Sequence, residues 1–245
     1  MINAGYDINL TNPIDFLLDQ YPGKHIFRFI LTHPHMNHMR GLENLNEKNI
    51  SIVNFWDTDH DYVPSSSSRE DILTWNEYIR IRESQNSPKT LRLYRGAVNF
   101  CYDTNGDCIE ILHPSEQTHQ VILESGNVNN LSYVLRINLG GIKIILGGDA
   151  ERSIWDDIVK KYGEDLKCDI LKASHHGRDS GYHQKAVELM SPEYTIVSVG
   201  KKPETDASDK YRQYSRNVWS TRWKGNISLF VDDDGNGTIE SEYDR

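Results

Sequence analysis

The chain carries ten histidines, and five of them fall in two short segments: His33, His35 and His38, and the adjacent pair His175 and His176. Imidazoles clustered in this way ask for a metal ion. In Thr32-His33-Pro34-His35-Met36-Asn37-His38 the first two histidines are two residues apart, so an extended backbone projects both rings to one side. His38 falls where the chain turns into a helix. Three imidazoles packed together without a ligand or water are costly, and together they offer a metal-site geometry. Two further segments end in potential ligands. Ile144-Ile145-Leu146-Gly147-Gly148-Asp149 closes an apolar run with two glycines and then a carboxylate, and Leu171-Lys172-Ala173-Ser174-His175-His176-Gly177 closes another with histidine. Ligands delivered from the ends of three strands suit a catalytic metal better than a structural zinc knot, which draws on local cysteines.

The elements that must position these residues are readable from period and punctuation. Asn12-Pro13 caps a helix with Ile14, Phe16, Leu17 and Leu18. Residues 26–32 and 50–56 read as strands, 37–46 as a helix, and 69–82 as a helix capped from the serine run at 65–68. Short strands are expected within 91–112. Residues 131–139 and 142–146 form a hairpin over Gly140-Gly141. Helices are expected at 150–162 and 183–190, strands at 168–173 and 194–199, and a closing hairpin from 227–231 to 238–240. Asp232-Asp233-Asp234-Gly235-Asn236-Gly237 starts like a calcium loop, but its twelfth position is Tyr243, so it reads as the hairpin's turn. Arg212, Arg216, Arg222 and Lys224 alternate with Tyr211, Tyr214, Trp219 and Trp223. That stretch is read as an amphipathic helix packed on the sheet, or as a stacking surface for nucleic acid. Strands and helices interleave without a repeat or linker, so a single α/β domain over 1–245 is expected.

Composition bounds the reading. A chain of 245 residues with 37% hydrophobic residues can bury a full core. No apolar run approaches a membrane span, and the first five residues lack the features of a signal peptide. Cys101, Cys108 and Cys168 are too few and too scattered for a disulfide framework, so a reducing, cytoplasmic setting is expected. The net charge of −9 argues against holding long duplexes by phosphate neutralisation.

In order along the chain, these motifs resemble the metallo-β-lactamase superfamily, whose signature is His-x-His-x-Asp-His, then Gly-Asp, then a late His. They are most similar to the hydrolase domain of bacterial competence DNA-uptake channel proteins. That similarity rests on Leu112-His113-Pro114, on Asn129-Asn130-Leu131-Ser132-Tyr133-Val134-Leu135, on Leu146-Gly147-Gly148-Asp149 and on Leu171 to Gly177, and spans Asn3 to about Val231. The resemblance implies an αββα sandwich, here lacking the first N-terminal strands, with one or two divalent ions, zinc or manganese. His33 and His35 would hold the first ion. Position 37 and His38 would hold the second, with His175 or His176, and Asp149 would bridge the two. Asn129 and Asn130 would each be a weak ligand or, with Ser132, meet the substrate, and His176 would meet the leaving group.

Two departures stand out. Position 37 is Asn where the family has an Asp that ligates the second metal, and Asn is the poorer ligand. Asn3 replaces a family Asp that props the histidine loop. The expected function is a metal-dependent phosphodiesterase or nuclease acting on DNA or nucleotides, with Asn37 and Asp149 in the catalytic set and metal-acidified water attacking phosphorus in line. The alternative is a catalytically degenerate binding or assembly subunit, with a protein partner or second copy covering an exposed sheet edge. A hydrolase of another ester or of a lactam is a third reading.

Overall fold

The computed structural model describes residues 1–3, 12–66, 68–98, 106–232 and 234–244. The α/β class is as expected, and the chain divides into two compact units, Met1–Leu93 and Tyr94–Arg245.

The first unit is built on a parallel sheet of β1 (Ile26–Ile30), β2 (Ile52–Asp57) and β3 (Lys89–Arg92), in that order. Parallel neighbours need long crossovers, and helices supply them. The chain from β1 to β2 carries α2 (Met36–Met39) and α3 (Leu42–Glu47), and α4 (Arg69–Arg82) joins β2 to β3. The single helix expected at 37–46 is therefore two short ones, parted where Arg40 leaves helical geometry and Gly41 takes a φ of 105°. Ahead of the sheet lies α1 (Pro13–Gln20), which starts as expected, with the Asn12 side chain accepting from the Ile14 amide. Ser68 likewise caps α4 by accepting from the Asp71 amide. Phe29 and Phe55 stack at 5.7 Å, with Ile14, Leu31, Met39, Leu42 and Ile81 around them. Residues 1–3 run along β1, Ile2 bridging Ile30 in parallel, so part of that strand's outer edge is covered from within the chain.

The second unit holds a six-stranded sheet: β4 (Cys108–His113), β5 (Val134–Leu139), β6 (Ile142–Leu146), β7 (Ile170–Lys172), β8 (Tyr194–Val197) and β9 (Asn217–Ser220). The pairs β4–β5 and β5–β6 are antiparallel and the rest parallel. Gly140 and Gly141 turn β5 into β6 with positive φ at both, as a two-residue hairpin requires. β5 starts later than expected, because Val128–Leu131 forms a 3-10 turn. Among the connecting helices are α5 (Glu116–Ser125), α6 (Arg152–Tyr162) and α7 (Gln184–Met190). Trp155, Ile158, Leu166, Leu171 and Val187 are buried in its core. The amphipathic helix read into the Tyr211 to Lys224 stretch is corrected: β9 runs through it between α8 (Ser208–Tyr211) and α9 (Thr221–Lys224). Pairing with β8 overrides local preference, Ile196 facing Trp219, while the Tyr194 and Trp219 rings meet edge-on at 5.1 Å. β10 (Ile227–Val231) and β11 (Gly237–Ser241) form the expected hairpin, and Asp232 closes its turn by accepting from the Asp234 and Asn236 amides.

Cysteine usage also needs correction. Cys108 is disulfide-bonded, so the argument from sparse cysteines to a reducing compartment loses its support. Cys168 is free, and burial pushes its thiol up to about 12. Cys101 lies outside the described residues. Among the described residues, no helix is long and apolar enough to cross a membrane.

Candidate functional site

The first unit gathers its histidines where β1 gives way to α2. β1 is buried at Phe29 and Ile30, and the chain stays buried through Leu31, Thr32 and His33. His35 caps α2, and the following turn brings His38 back beside His33. The His33 ring lies 4.8 Å from that of His35 and 4.2 Å from that of His38. His33 Nε2 and His35 Nδ1 are 3.0 Å apart, and Tyr62 meets the outer face of His35 edge-on. Asn37 stands exposed on α2.

A web of side chains holds this cluster from behind. The Thr32 amide donates to Asn3 Oδ1 at 2.9 Å, and Asn3 Nδ2 donates to Thr32 Oγ1 at 3.0 Å and to His38 Nδ1 at 2.9 Å. Thr32 Oγ1 also lies 3.2 Å from His33 Nδ1. Asn3 has a φ of 56°, a left-handed conformation that asparagine tolerates better than most residues.

The second unit presents its ligand types at the ends of β6 and β7. Asp149 is 2% exposed, and its backbone amide donates to Ser132 Oγ at 2.9 Å. The approach is possible only because residue 148 is glycine: a Cβ there would lie 2.8 Å from that of Ser132, at a φ of +53°. After β7, Ser174 Oγ donates to the Gly147 carbonyl and accepts from Trp155 Nε1, while the His175 amide donates to the Gly148 carbonyl. The two strand ends are thus laced together. His175 and His176 then take φ values of 48° and 55°. Such backbone costs a non-glycine residue about 1–2 kcal/mol. It turns both rings back on Asp149, with His176 Nε2 3.4 Å and His175 Nε2 4.0 Å from Asp149 Oδ2.

Neighbours set the chemistry of these groups. His176 Nδ1 donates to the Ser198 carbonyl at 2.9 Å, which leaves Nε2 toward the carboxylate. His175 Nδ1 lies 2.8 Å from Ser180 Oγ and 3.5 Å from Glu151 Oε1. Burial lowers its pKa, and the Asp149 charge pulls the other way. Lys172 reaches the Gly148 carbonyl at 3.4 Å; burial lowers its pKa too, against the same carboxylate.

Asn129, Asn130 and Ser132 stand behind this rim. Asn129 Nδ2 donates to Glu151 Oε1, Asn130 Oδ1 accepts from the Glu151 amide, and Ser132 is fully buried under Asp149. His113 is buried and donates from Nε2 to the Asn130 carbonyl at 2.8 Å; burial brings its pKa down to about 4. The supporting residues Thr32, Glu151, Ser180 and Ser198 were not singled out from sequence. Only Glu151, two residues past Asp149, carried a positional hint.

The donor types suit a divalent metal ion: imidazole rings in the first unit, a buried carboxylate flanked by two imidazoles in the second. One donor is out of character, because the nitrogen of His38 that faces Asn3 accepts a hydrogen bond where a metal-bound histidine ordinarily donates one.

No family model matches the chain. Over 115 residues it is 29% identical to ComE operon protein 3 of Bacillus subtilis (strain 168), a match covering 47% of this chain and 14% of that protein. Over 143 residues it is 26% identical to Competence protein ComA of Neisseria gonorrhoeae, covering 56% of this chain and 19% of that protein. The matched segments therefore span less than a fifth of either relative. The metallo-beta-lactamase fold protein YhfI from Bacillus subtilis superposes with a TM-score of 0.49 at 10% identity, over 97% of this chain and 86% of that one. The resemblance to competence proteins drawn from the motifs is borne out by the two sequence matches.

Proposed function

We propose that the chain is a metal-dependent hydrolase of phosphodiester bonds, acting on nucleic acid or nucleotides. The observation that carries this reading is the convergence of His33, His35 and His38 at the end of β1. His33, His38 and Asp149 are each buried and each offer one ligand atom. We take His33, His35 and His38 of the first unit, and Asp149 with His175 or His176 of the second, as the residues that hold divalent ions. When bound, such an ion acidifies a water and neutralises charge developing on phosphorus.

The chain's own residues do the rest. Asp149 is fixed by Ser132 and by the lacing of β6 to β7, so its carboxylate is held ready as a ligand and a proton acceptor. His176, anchored on the Ser198 carbonyl, meets the leaving group. Asn129 and Asn130 act by holding Glu151 and the start of α6. The match with competence proteins and the resemblance to DNA-uptake hydrolase domains support a nucleic-acid substrate. The net charge of −9 favours short or single-stranded forms.

The test is metal content per chain by elemental mass spectrometry on protein purified without chelator, followed by turnover of a phosphodiester and a single-stranded oligonucleotide. One or two equivalents of zinc or manganese with turnover supports the reading. No metal, even after zinc or manganese is added, overturns it. A second reading, a degenerate binding subunit, is favoured by the neutral, exposed Asn37. It predicts at most one equivalent and no turnover, with Asn37→Asp restoring the second equivalent and turnover.

A further inference from the structure

We infer that Asn3 is a positioning residue that fixes the tautomer of His38, keeping the proton on Nε2 and so weakening that nitrogen as a metal ligand. The argument begins at a group with no choice of role. A backbone N–H can only donate, so the Asn3 atom 2.9 Å from the Thr32 amide is the side-chain oxygen. That settles which way the amide faces. Its nitrogen then lies 3.0 Å from Thr32 Oγ1 and 2.9 Å from His38 Nδ1, and it has one hydrogen for each. An amide nitrogen is a donor only, so His38 Nδ1 must accept, and a neutral imidazole that accepts at Nδ1 carries its hydrogen on Nε2.

The backbone gives the amide little freedom. The Asn3 amide donates to the Ile30 carbonyl, and the Ile30 amide donates to the Met1 carbonyl, so Asn3 is pinned on the edge of β1. Aspartate has the same shape with two acceptors. In its place it accepts from the Thr32 amide and from an Nδ1–H of His38, which frees the Nε2 lone pair. The consequence for metal binding rests on the functional reading above; the tautomer itself does not.

The test uses the full, metal-free chain labelled with nitrogen-15. Long-range proton–nitrogen correlation spectra report which ring nitrogen carries the hydrogen, and His38→Gln identifies the resonances of His38. The expected result is an Nε2-protonated His38 in the unaltered chain and an Nδ1-protonated one in Asn3→Asp. An Nδ1-protonated His38 in the unaltered chain overturns the inference without recourse to any variant. An unchanged tautomer in Asn3→Asp overturns it as well. Zinc affinity measured by chelator competition is expected to rise roughly 10–100-fold in Asn3→Asp, the range over which such supporting partners act. The gain should vanish when His38→Gln is added. A tautomer that swaps with no gain in affinity upholds the role of Asn3 and counts against His38 as a ligand.

Discussion

His38 in the first unit and His176 in the second both have Nδ1 engaged at 2.9 Å, but by partners of opposite sense. Ser198 offers a backbone carbonyl, which can only accept. Asn3 offers a side-chain amide nitrogen, which can only donate. The same contrast runs through the two rims. The first is held largely by side chains, with Asn3, Thr32 and the rings themselves forming the web. The second is held largely by backbone, through the Ser198, Gly147 and Gly148 carbonyls and the Asp149 and His175 amides. A rim built on side chains can change its chemistry by exchanging one nitrogen for one oxygen. A rim built on backbone resists such exchange, and its weak points are the places where the chain passes too closely to admit a side chain.

The largest effect is expected where the second rim depends on a side chain after all. Asp149→Asn keeps the shape and removes the charge that faces both histidines. Activity and zinc uptake should fall by more than the roughly 100-fold that losing a supporting partner costs, with little change in thermal stability. Retained zinc uptake would remove Asp149 from the ligand set.

Next is the close approach. Gly148→Ala places a Cβ 2.8 Å from that of Ser132 and 3.0 Å from the Tyr133 carbonyl oxygen, at a φ of +53°. Left-handed strain and overpacking together should destabilise the chain by roughly 4 kcal/mol, read by urea unfolding. In the first rim, Thr32→Val removes one hydroxyl and should cost only about 1 kcal/mol. Equal losses from the two substitutions would break the contrast between the rims.

The same contrast explains what could be read in advance. The ligand types were legible because they sit at strand ends in tight local spacings: His33 and His35, Gly148 and Asp149, His175 and His176. The caps at Asn12 and Ser68 and the hairpin at Gly140-Gly141 were legible for the same reason. β9 was not, because a four-residue strand exists only through its pairing with β8. Nor were Ser198, Ser180 and Thr32, whose roles depend on contacts the sequence does not order. The direction of the Asn3 bond was equally hidden, since the departure from Asp was visible but its consequence for His38 needed the Thr32 amide.

A third prediction sets the units against each other through pH. In the first unit, Asp57 is buried beside Arg82 and the Tyr78 hydroxyl; burial pushes its pKa up to about 6 despite both. The folded state then prefers the neutral acid. The associated stability is fully present below about pH 4, and about 3 kcal/mol of it is lost as pH rises to 6. In the second unit, burial brings His113 down to about 4. There stability is full above about pH 6.5, and about 3 kcal/mol is lost as pH falls through 4. Amide hydrogen exchange on the intact chain, corrected for intrinsic rates, should show β1–β3 gaining protection toward pH 4.5 and β4–β6 losing it. His113→Gln should flatten the second trend and leave the first. Parallel trends in the two sheets would show that these groups do not govern the local response.

The smallest effect separates strain from function within the second rim. His176 has a φ of 55°, and its ring is secured at both ends, by the Ser198 carbonyl and near Asp149. Substitution by Ala or Gly removes the same ring contacts, so activity and zinc uptake should suffer alike in both. The backbone should not respond alike. Ala keeps a Cβ in the left-handed region, whereas Gly adopts that region freely, offset by its greater entropy loss on folding. His176→Gly should therefore be more stable than His176→Ala by about 1 kcal/mol, measured as the difference in urea midpoint at constant slope. If Ala proves the more stable, the left-handed turn belongs to the histidine's own contacts and not to the backbone. The second rim would then rest on side chains as much as the first, and the contrast between them would fail at its most local point.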